Sequence, residues 1–162
     1  MFPPALISLA KTVLDQARAK GLRIATAESC TGGLIAGLLT EIPGSSDVLD
    51  RGFVTYSDDA KKELLGVPGS LIAARGAVSE SVARAMAEGA VAKSKAQLAV
   101  AVTGIAGPGG GTVEKPVGLV HLAACREDGA VLHEEHRFGD IGRAQVRMKA
   151  ITAALALLNR ML

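Results

Sequence analysis

Apolar residues recur at helical spacing through residues 5–19, where Leu6, Leu9, Ala10, Val13, Leu14 and Ala17 share one face and Gly21 ends the pattern. Residues 22–27 are a short apolar run that predicts a first strand, and 31–41 read as a helix stopped by Pro43 and Gly44. The run 52–57 (GFVTYS) predicts a second strand, after which Asp58 or Asp59 can cap a short helix through Leu65, closed by Gly66 and Pro68. Ser79 can cap a longer helix over about 80–95. Residues 98–103 (LAVAVT) have the continuous apolar character of a buried central strand. The segment 104–111 (GIAGPGGG) cannot hold regular structure. Two further runs, 119–125 and 131–138, flank Glu127-Asp128-Gly129, a hairpin signal. Residues 143–161 predict a closing helix with Val146, Ala150, Ile151, Ala154, Leu155 and Leu158 on one side. No repeat, linker or low-complexity tract interrupts the series. Helices interleaved with strands and followed by a hairpin predict one domain over 1–162, a three-layer α/β/α fold with a mixed, mostly parallel sheet ending in an antiparallel hairpin.

Composition sharpens this picture. A chain of 162 residues that is 49% hydrophobic can bury about two thirds of its unfolded surface. With no Trp, one Tyr and three Phe, the core must come from Ala, Val, Leu and Gly, which suits close packing of helix on sheet. A net charge of +2, scattered along the chain, gives no footprint for nucleic acid, and the few aromatics offer little for base stacking. Two cysteines, Cys30 and Cys125, make neither a disulfide framework nor a four-ligand metal site. The opening MFPPALISLAK lacks a positively charged leader, and no apolar stretch approaches the ~18 residues of a membrane span. The expectation is a cytoplasmic protein without membrane or nucleic-acid partners.

The candidate chemistry lies in AESCTGG, residues 27–33, at the turn from the first strand into a helix. The carboxyl end of a strand is where α/β sheets place ligands, and the free N–H groups of a helix start favour an anion there. The bland alternative is that Ser29 or Thr31 only caps the helix and the glycines only pack. A serine nucleophile needs a base. His121, His133 and His136 all fall in the hairpin region, and on an extended strand His133 and His136 point to opposite faces, against a shared metal site. In YSDDAKKELL, Lys61 shares a helix face with Leu64 and Leu65 and so is the lysine set for desolvation. Desolvation matters because a free lysine, with a pKa near ~10.4, is neutral in only about one molecule per thousand at pH 7.4. Cys30 is intrinsically the better nucleophile, yet free cysteine is often simply buried, so local chemistry leaves Ser29 and Cys30 as alternatives. GIAGPGGG lacks the ends of a Walker loop and the spacing of a dinucleotide fingerprint. It reads either as a flexible loop or as a ligand-binding wall.

In this order AESCTGG, GSSDVLDRGFVTYSDDAKKELLGV, GAVSE, VTGIAGPGGG and KPVGLV resemble the CinA carboxy-terminal domain family, over nearly the whole chain. The enzymatic members of that family are nicotinamide-nucleotide amidases (NMN deamidases), and the resemblance implies a stand-alone amidase that serves NAD recycling in the pyridine nucleotide cycle. It implies hydrolysis of the carboxamide of nicotinamide mononucleotide to nicotinate mononucleotide and ammonia, without metal or organic cofactor, in a homodimer. By the same resemblance Ser29 would be the nucleophile, Lys61 its general base and Tyr56 a neighbour that orients or shares the proton, with Cys30 as packing. Thr31, Gly32 and Gly33 would steady the oxyanion on the helix amino end. Thr103, Gly104, Gly107 and Gly110 would wall the substrate, and Arg147 would help hold its phosphate. The segment GDIGRAQVR departs from the family's Gly-Asp-Arg, which displaces an arginine to Arg143 and leaves its role open. The alternative is a non-catalytic nucleotide-binding or partner-binding domain of the same family.

Overall fold

The computed structural model describes all 162 residues. In chain order the elements are α1 (Pro4–Ala19), β1 (Ile24–Glu28), α2 (Leu34–Thr40), a 3-10 turn (Ser45–Asp47), β2 (Leu49–Val54), α3 (Asp58–Leu65), α4 (Gly69–Arg75), α5 (Glu80–Ala92), β3 (Leu98–Gly104), β4 (Leu119–Arg126), β5 (Val131–Arg137) and α6 (Arg143–Met161). They form one five-stranded sheet in the order β2-β1-β3-β4-β5. β1 pairs in parallel with β2 and β3, whereas β3 with β4 and β4 with β5 are antiparallel. The sheet is therefore mixed, with every strand but β4 running in one direction.

Side-chain alternation along the strands separates two unequal faces. Leu98, Val100 and Val102 of β3 face α1, α2 and α6, with Ile24, Val120 and Leu122 beside them. The intervening positions are Ala25, Ala27, Ala99, Ala101 and Ala123, and they face α5, whose own contact surface is Ala83, Ala87 and Ala90. Alanine against alanine lets α5 lie close to the sheet, which is how a chain without tryptophan fills that layer. The three helices α3, α4 and α5 together cross from β2 back to β3 on this face, while α2 links β1 to β2 on the other. Right-handed crossovers in opposite directions along a sheet put their helices on opposite faces. They also open a crevice at the carboxyl ends of β1 and β3, where the order reverses.

Several boundaries differ from those expected. β2 starts at Leu49 and ends at Val54, so Tyr56 and Ser57 lie beyond it. The cap of α3 is Ser57, whose Oγ accepts the Ala60 N–H at 3.0 Å, rather than Asp58 or Asp59. α4 was not anticipated, because it is short and has no buried residue and hence no apolar period to read. The Ser79 cap and the 127–129 hairpin fall as expected.

Gly89 marks the tightest helix contact, since a Cβ there would land on the Leu65 carbonyl at the end of α3. Gly89→Ala is expected to cost ~1–3 kcal/mol through overpacking and to lower Tm by roughly 3–10 °C. A thermal melt equal to the wild type would refute that packing.

Candidate active site

Ser29 follows the last residue of β1, and its N–H donates to the Val102 carbonyl at 3.0 Å, which fastens the turn to β3. Gly32 (φ 59°) and Gly33 (φ 98°) then take left-handed conformations that swing the chain into α2. Lys61 arrives from α3 with its side chain almost fully enclosed, 1% exposed. Its Nζ lies 3.0 Å from Ser29 Oγ, 3.0 Å from the Thr55 carbonyl oxygen and 3.5 Å from that of Tyr56. A neutral amine has two N–H donors and one lone pair. The two carbonyls take the donors, which leaves the lone pair for the Ser29 hydroxyl proton. Burial holds the Lys61 pKa below its ordinary 10.5, and the Asp58 carboxylate and Cys30 oppose that shift by charge.

The cavity over this pair has a volume of about 240 Å³ and is lined by Ser29, Cys30, Tyr56, Asp58, Lys61, Ala77, Val78, Thr103, Gly104, Ala106 and Arg143. Thr103 Oγ1 donates to the Ala77 carbonyl at 2.9 Å and so holds the segment before α5 against the end of β3. At the mouth, Arg143 donates to the Gly107 carbonyl and to the Tyr56 hydroxyl, each at 2.9 Å.

Of the residues expected at the site, Ser29, Lys61, Tyr56, Thr103 and Gly104 meet in this cavity. Tyr56 is 60% exposed. Its carbonyl faces Lys61 and its hydroxyl accepts from Arg143, so the ring does not reach between Lys61 and Ser29. Gly107 borders the mouth through its carbonyl, and Gly110 lines a separate concavity with Arg137 and Asp140. Arg147, expected on a phosphate, is committed elsewhere: its guanidinium donates to the carbonyls of Cys30 (3.0 Å) and Thr31 (3.3 Å) and braces the turn from behind. Arg143 is the arginine that faces the cavity. Asp58 lines it as well. Asp59, by contrast, pairs with Lys62 at 2.9 Å. None of the three histidines lines the cavity. His121 and His133 stack on one another with Nδ1 and Nε2 2.9 Å apart, and His136 meets Glu134.

The helix amino end also differs from expectation. Glu28 is fully buried, and its carboxylate accepts the Thr31 hydroxyl (2.7 Å) and the N–H groups of Ile35 (2.8 Å) and Ala36 (3.0 Å), with Thr26 Oγ1 at 3.3 Å. The start of α2 is therefore occupied by an anion from the chain itself. The N–H groups of Cys30, Thr31 and Gly33 have no acceptor within the chain, so the donors free to meet an oxyanion come from the turn rather than from the helix. Cys30 is 6% exposed, and burial pushes its thiol up to about 11, which keeps it protonated near neutral pH.

Comparison with known proteins agrees with this architecture. The family described as CinA C-terminal domain matches residues 6–162. The CinA-like protein of Anaeromyxobacter sp. (strain K) is 52% identical over 151 residues, covering 93% of this chain and 36% of that protein. Among solved structures, the competence/damage inducible protein CihA from Agrobacterium tumefaciens superposes with a TM-score of 0.98 at 55% identity, covering 99% of this chain and 98% of that one. The CinA superfamily protein from Escherichia coli gives 0.92 at 33% identity, covering 100% and 94%. The chain belongs to the CinA C-terminal domain family, and it spans about a third of the length of the curated relatives it matches.

Because four donors converge on Glu28, an amide at that position would turn an NH₂ group toward at least one of them. Glu28→Gln is expected to destabilise the fold by about 2–4 kcal/mol, measured by denaturant unfolding. A loss within experimental error of zero would mean that the carboxylate does not hold the turn.

Proposed function

We propose that the chain is an amidohydrolase that converts nicotinamide mononucleotide to nicotinate mononucleotide and ammonia through an acyl-enzyme on Ser29. The observation that carries this reading is the 3.0 Å approach of Lys61 Nζ to Ser29 Oγ inside a cavity where Lys61 as a residue is 1% exposed. A serine alone is a weak nucleophile. A lysine whose burial favours the neutral amine, with its other hydrogens held by carbonyls, is the base it needs.

Ser29 Oγ attacks the carboxamide carbon and passes its proton to Lys61 Nζ. The oxyanion that forms is met by the free N–H groups of Cys30 and Thr31. Lys61 returns the proton to the leaving nitrogen and ammonia departs. A water molecule, deprotonated in turn by Lys61, then attacks the ester carbon; the bond to Ser29 breaks, Lys61 returns the proton to Ser29 Oγ, and the carboxylate product is released. At about 240 Å³ the cavity is below the ~300–1,000 Å³ of sites that enclose a whole drug-sized ligand. It receives the ring and its amide, while the ribose phosphate extends past Tyr56 toward Arg143 and the N–H groups of the 104–110 loop. Arg147 acts through the turn it braces. The nucleotide identity and the place in NAD recycling follow the family resemblance, as do cytoplasmic location and the homodimer. No helix is long and apolar enough to cross a membrane.

Purified protein should release ammonia from the nucleotide in the presence of a chelator. Ser29→Ala and Lys61→Arg should each lower kcat by about 10³-fold or more, the second because a guanidinium stays protonated at working pH. Cys30→Ala and Lys62→Arg should retain most activity. Since Lys61 acts as the neutral amine and its folded pKa lies below 10.5, activity should rise along one limb as pH climbs through that value and fall as pH drops beneath it. Full turnover by Ser29→Ala would remove the acyl-enzyme, and binding without ammonia release by folded wild type would favour the non-catalytic nucleotide-binding alternative. Sedimentation at micromolar concentration should report a dimer, and a monomer there would end that part of the proposal.

A further inference from the structure

The cavity holds two formal charges of opposite sign that do not neutralise one another. Arg143, at the mouth, spends its donors on uncharged acceptors, the Gly107 carbonyl and the Tyr56 hydroxyl. Asp58 lines the same cavity beside Lys61 and forms no ion pair or side-chain hydrogen bond, while Lys62 of the same helix is paired with Asp59. Lys61 is neutral in the state that acts as base, so it does not balance Asp58 either. Water and the amino end of α3 ease the charge of Asp58, yet a carboxylate without an ion pair on the wall of an amidase's cavity is unhelpful in general terms. It repels the developing oxyanion and raises the pKa of the base, as its effect on Lys61 shows. Such a residue makes chemical sense where the substrate brings a positive charge to that place.

We propose that Asp58 is a specificity-determining residue that selects amides carried on a cationic ring, and this rests on the amidase reading above. N1-substituted nicotinamides are pyridinium cations, with the positive charge delocalised over the ring that bears the carboxamide. With the amide carbon at Ser29, the ring fills the cavity against Asp58, and the anionic end of a nucleotide extends toward Arg143. The pair of opposed charges then matches a zwitterionic ligand end for end, and it discriminates against neutral amides of the same shape. The same charge works on the product. Hydrolysis creates a carboxylate on the ring within reach of Asp58, so the attraction to the ring is offset after the reaction and release is favoured.

Removing the Asp58 charge also alters Lys61, and that effect is common to every substrate. The informative quantity is therefore the ratio between a cationic and a neutral ligand. Nicotinamide mononucleotide and its 1,4-dihydro form share the carboxamide, ribose and phosphate and differ in ring charge. Binding to Ser29→Ala protein, followed by calorimetry, should favour the cationic ligand. Adding Asp58→Asn should weaken the cationic ligand by about tenfold, as expected for charges several Å apart in a partly screened site, and leave the dihydro ligand within about twofold. Asp59→Asn removes the same charge from the same helical turn but faces Lys62, so it should change neither and controls for effects on α3 itself. Equal weakening of both ligands by Asp58→Asn, no weakening of either, or failure of Ser29→Ala protein to prefer the cation would overturn the proposal. Ammonia release by the unsubstituted protein reports separately on the amidase reading: charge-selective binding without turnover would sink that reading and leave Asp58's role standing.

Discussion

A lysine ammonium loses its hydration when the protein closes around it, and the enclosure of Lys61 governs how this site is built. The α3 helix must dock close enough to seal the amine, yet the amine must keep polar neighbours or its burial would cost several kcal/mol. The carbonyls of Thr55 and Tyr56 solve this, and they are free to do so because β2 ends at Val54. Had the strand continued through Ser57, those carbonyls would sit at ladder positions. The early end of β2, the Ser57 cap and the placement of Lys61 one turn into α3 are thus one arrangement viewed from three residues.

The enclosure depends in turn on the small-residue face of the sheet. α3 packs on α5, and α5 on alanines of β1, β3 and β4. Larger side chains at Ala27 or Ala101 would lift α5 off the sheet, and with it the end of α3 that touches Gly89. The low aromatic content of the chain is a geometric requirement of this layer. The bulk of the core volume sits on the opposite side, beneath α1, α2 and α6.

Much of this was legible in the sequence, and what was not has physical reasons. The spaced apolar positions of α1 and α6, the Ser79 cap of α5 and the apolar run of β3 gave those elements, and each of the four buries a long, regular face. The pairing of Ser29 with Lys61 was suggested by the resemblance and by the position of Lys61 among leucines. The thiol of Cys30, left open beside Ser29 by local chemistry, lies in the core with a raised pKa. Placement of the arginines was not legible: Arg143 and Arg147 lie one helical turn apart on α6, and only the approach of α6 to the turn decides which faces the cavity and which supports its back. Ala77 and Val78 entered the reading only inside the GAVSE block of the resemblance and had no chemistry of their own to mark them, since they reach the cavity from an irregular segment that Thr103 holds in place.

Two carboxylates of this region, Glu28 and Asp58, illustrate how charge is divided here. Glu28 immediately precedes Ser29, and an uncompensated charge at that distance from Lys61 would favour the ammonium over the free amine. Its oxygens point to the other side of β1, because side chains alternate along a strand, and there the first N–H groups of α2 and the Thr31 hydroxyl absorb the charge. The amino end of α2 is consumed in that way, and the N–H groups left without an acceptor are those of the turn itself. Those donors point usefully only if the turn is rigid, which Glu28 enforces from one side and Arg147 from the other. Asp58, in contrast, keeps its charge on the cavity side, where water still reaches it. A buried carboxylate that shapes the backbone and an accessible one on a cavity wall are different devices, and burial together with hydrogen-bond count distinguishes them.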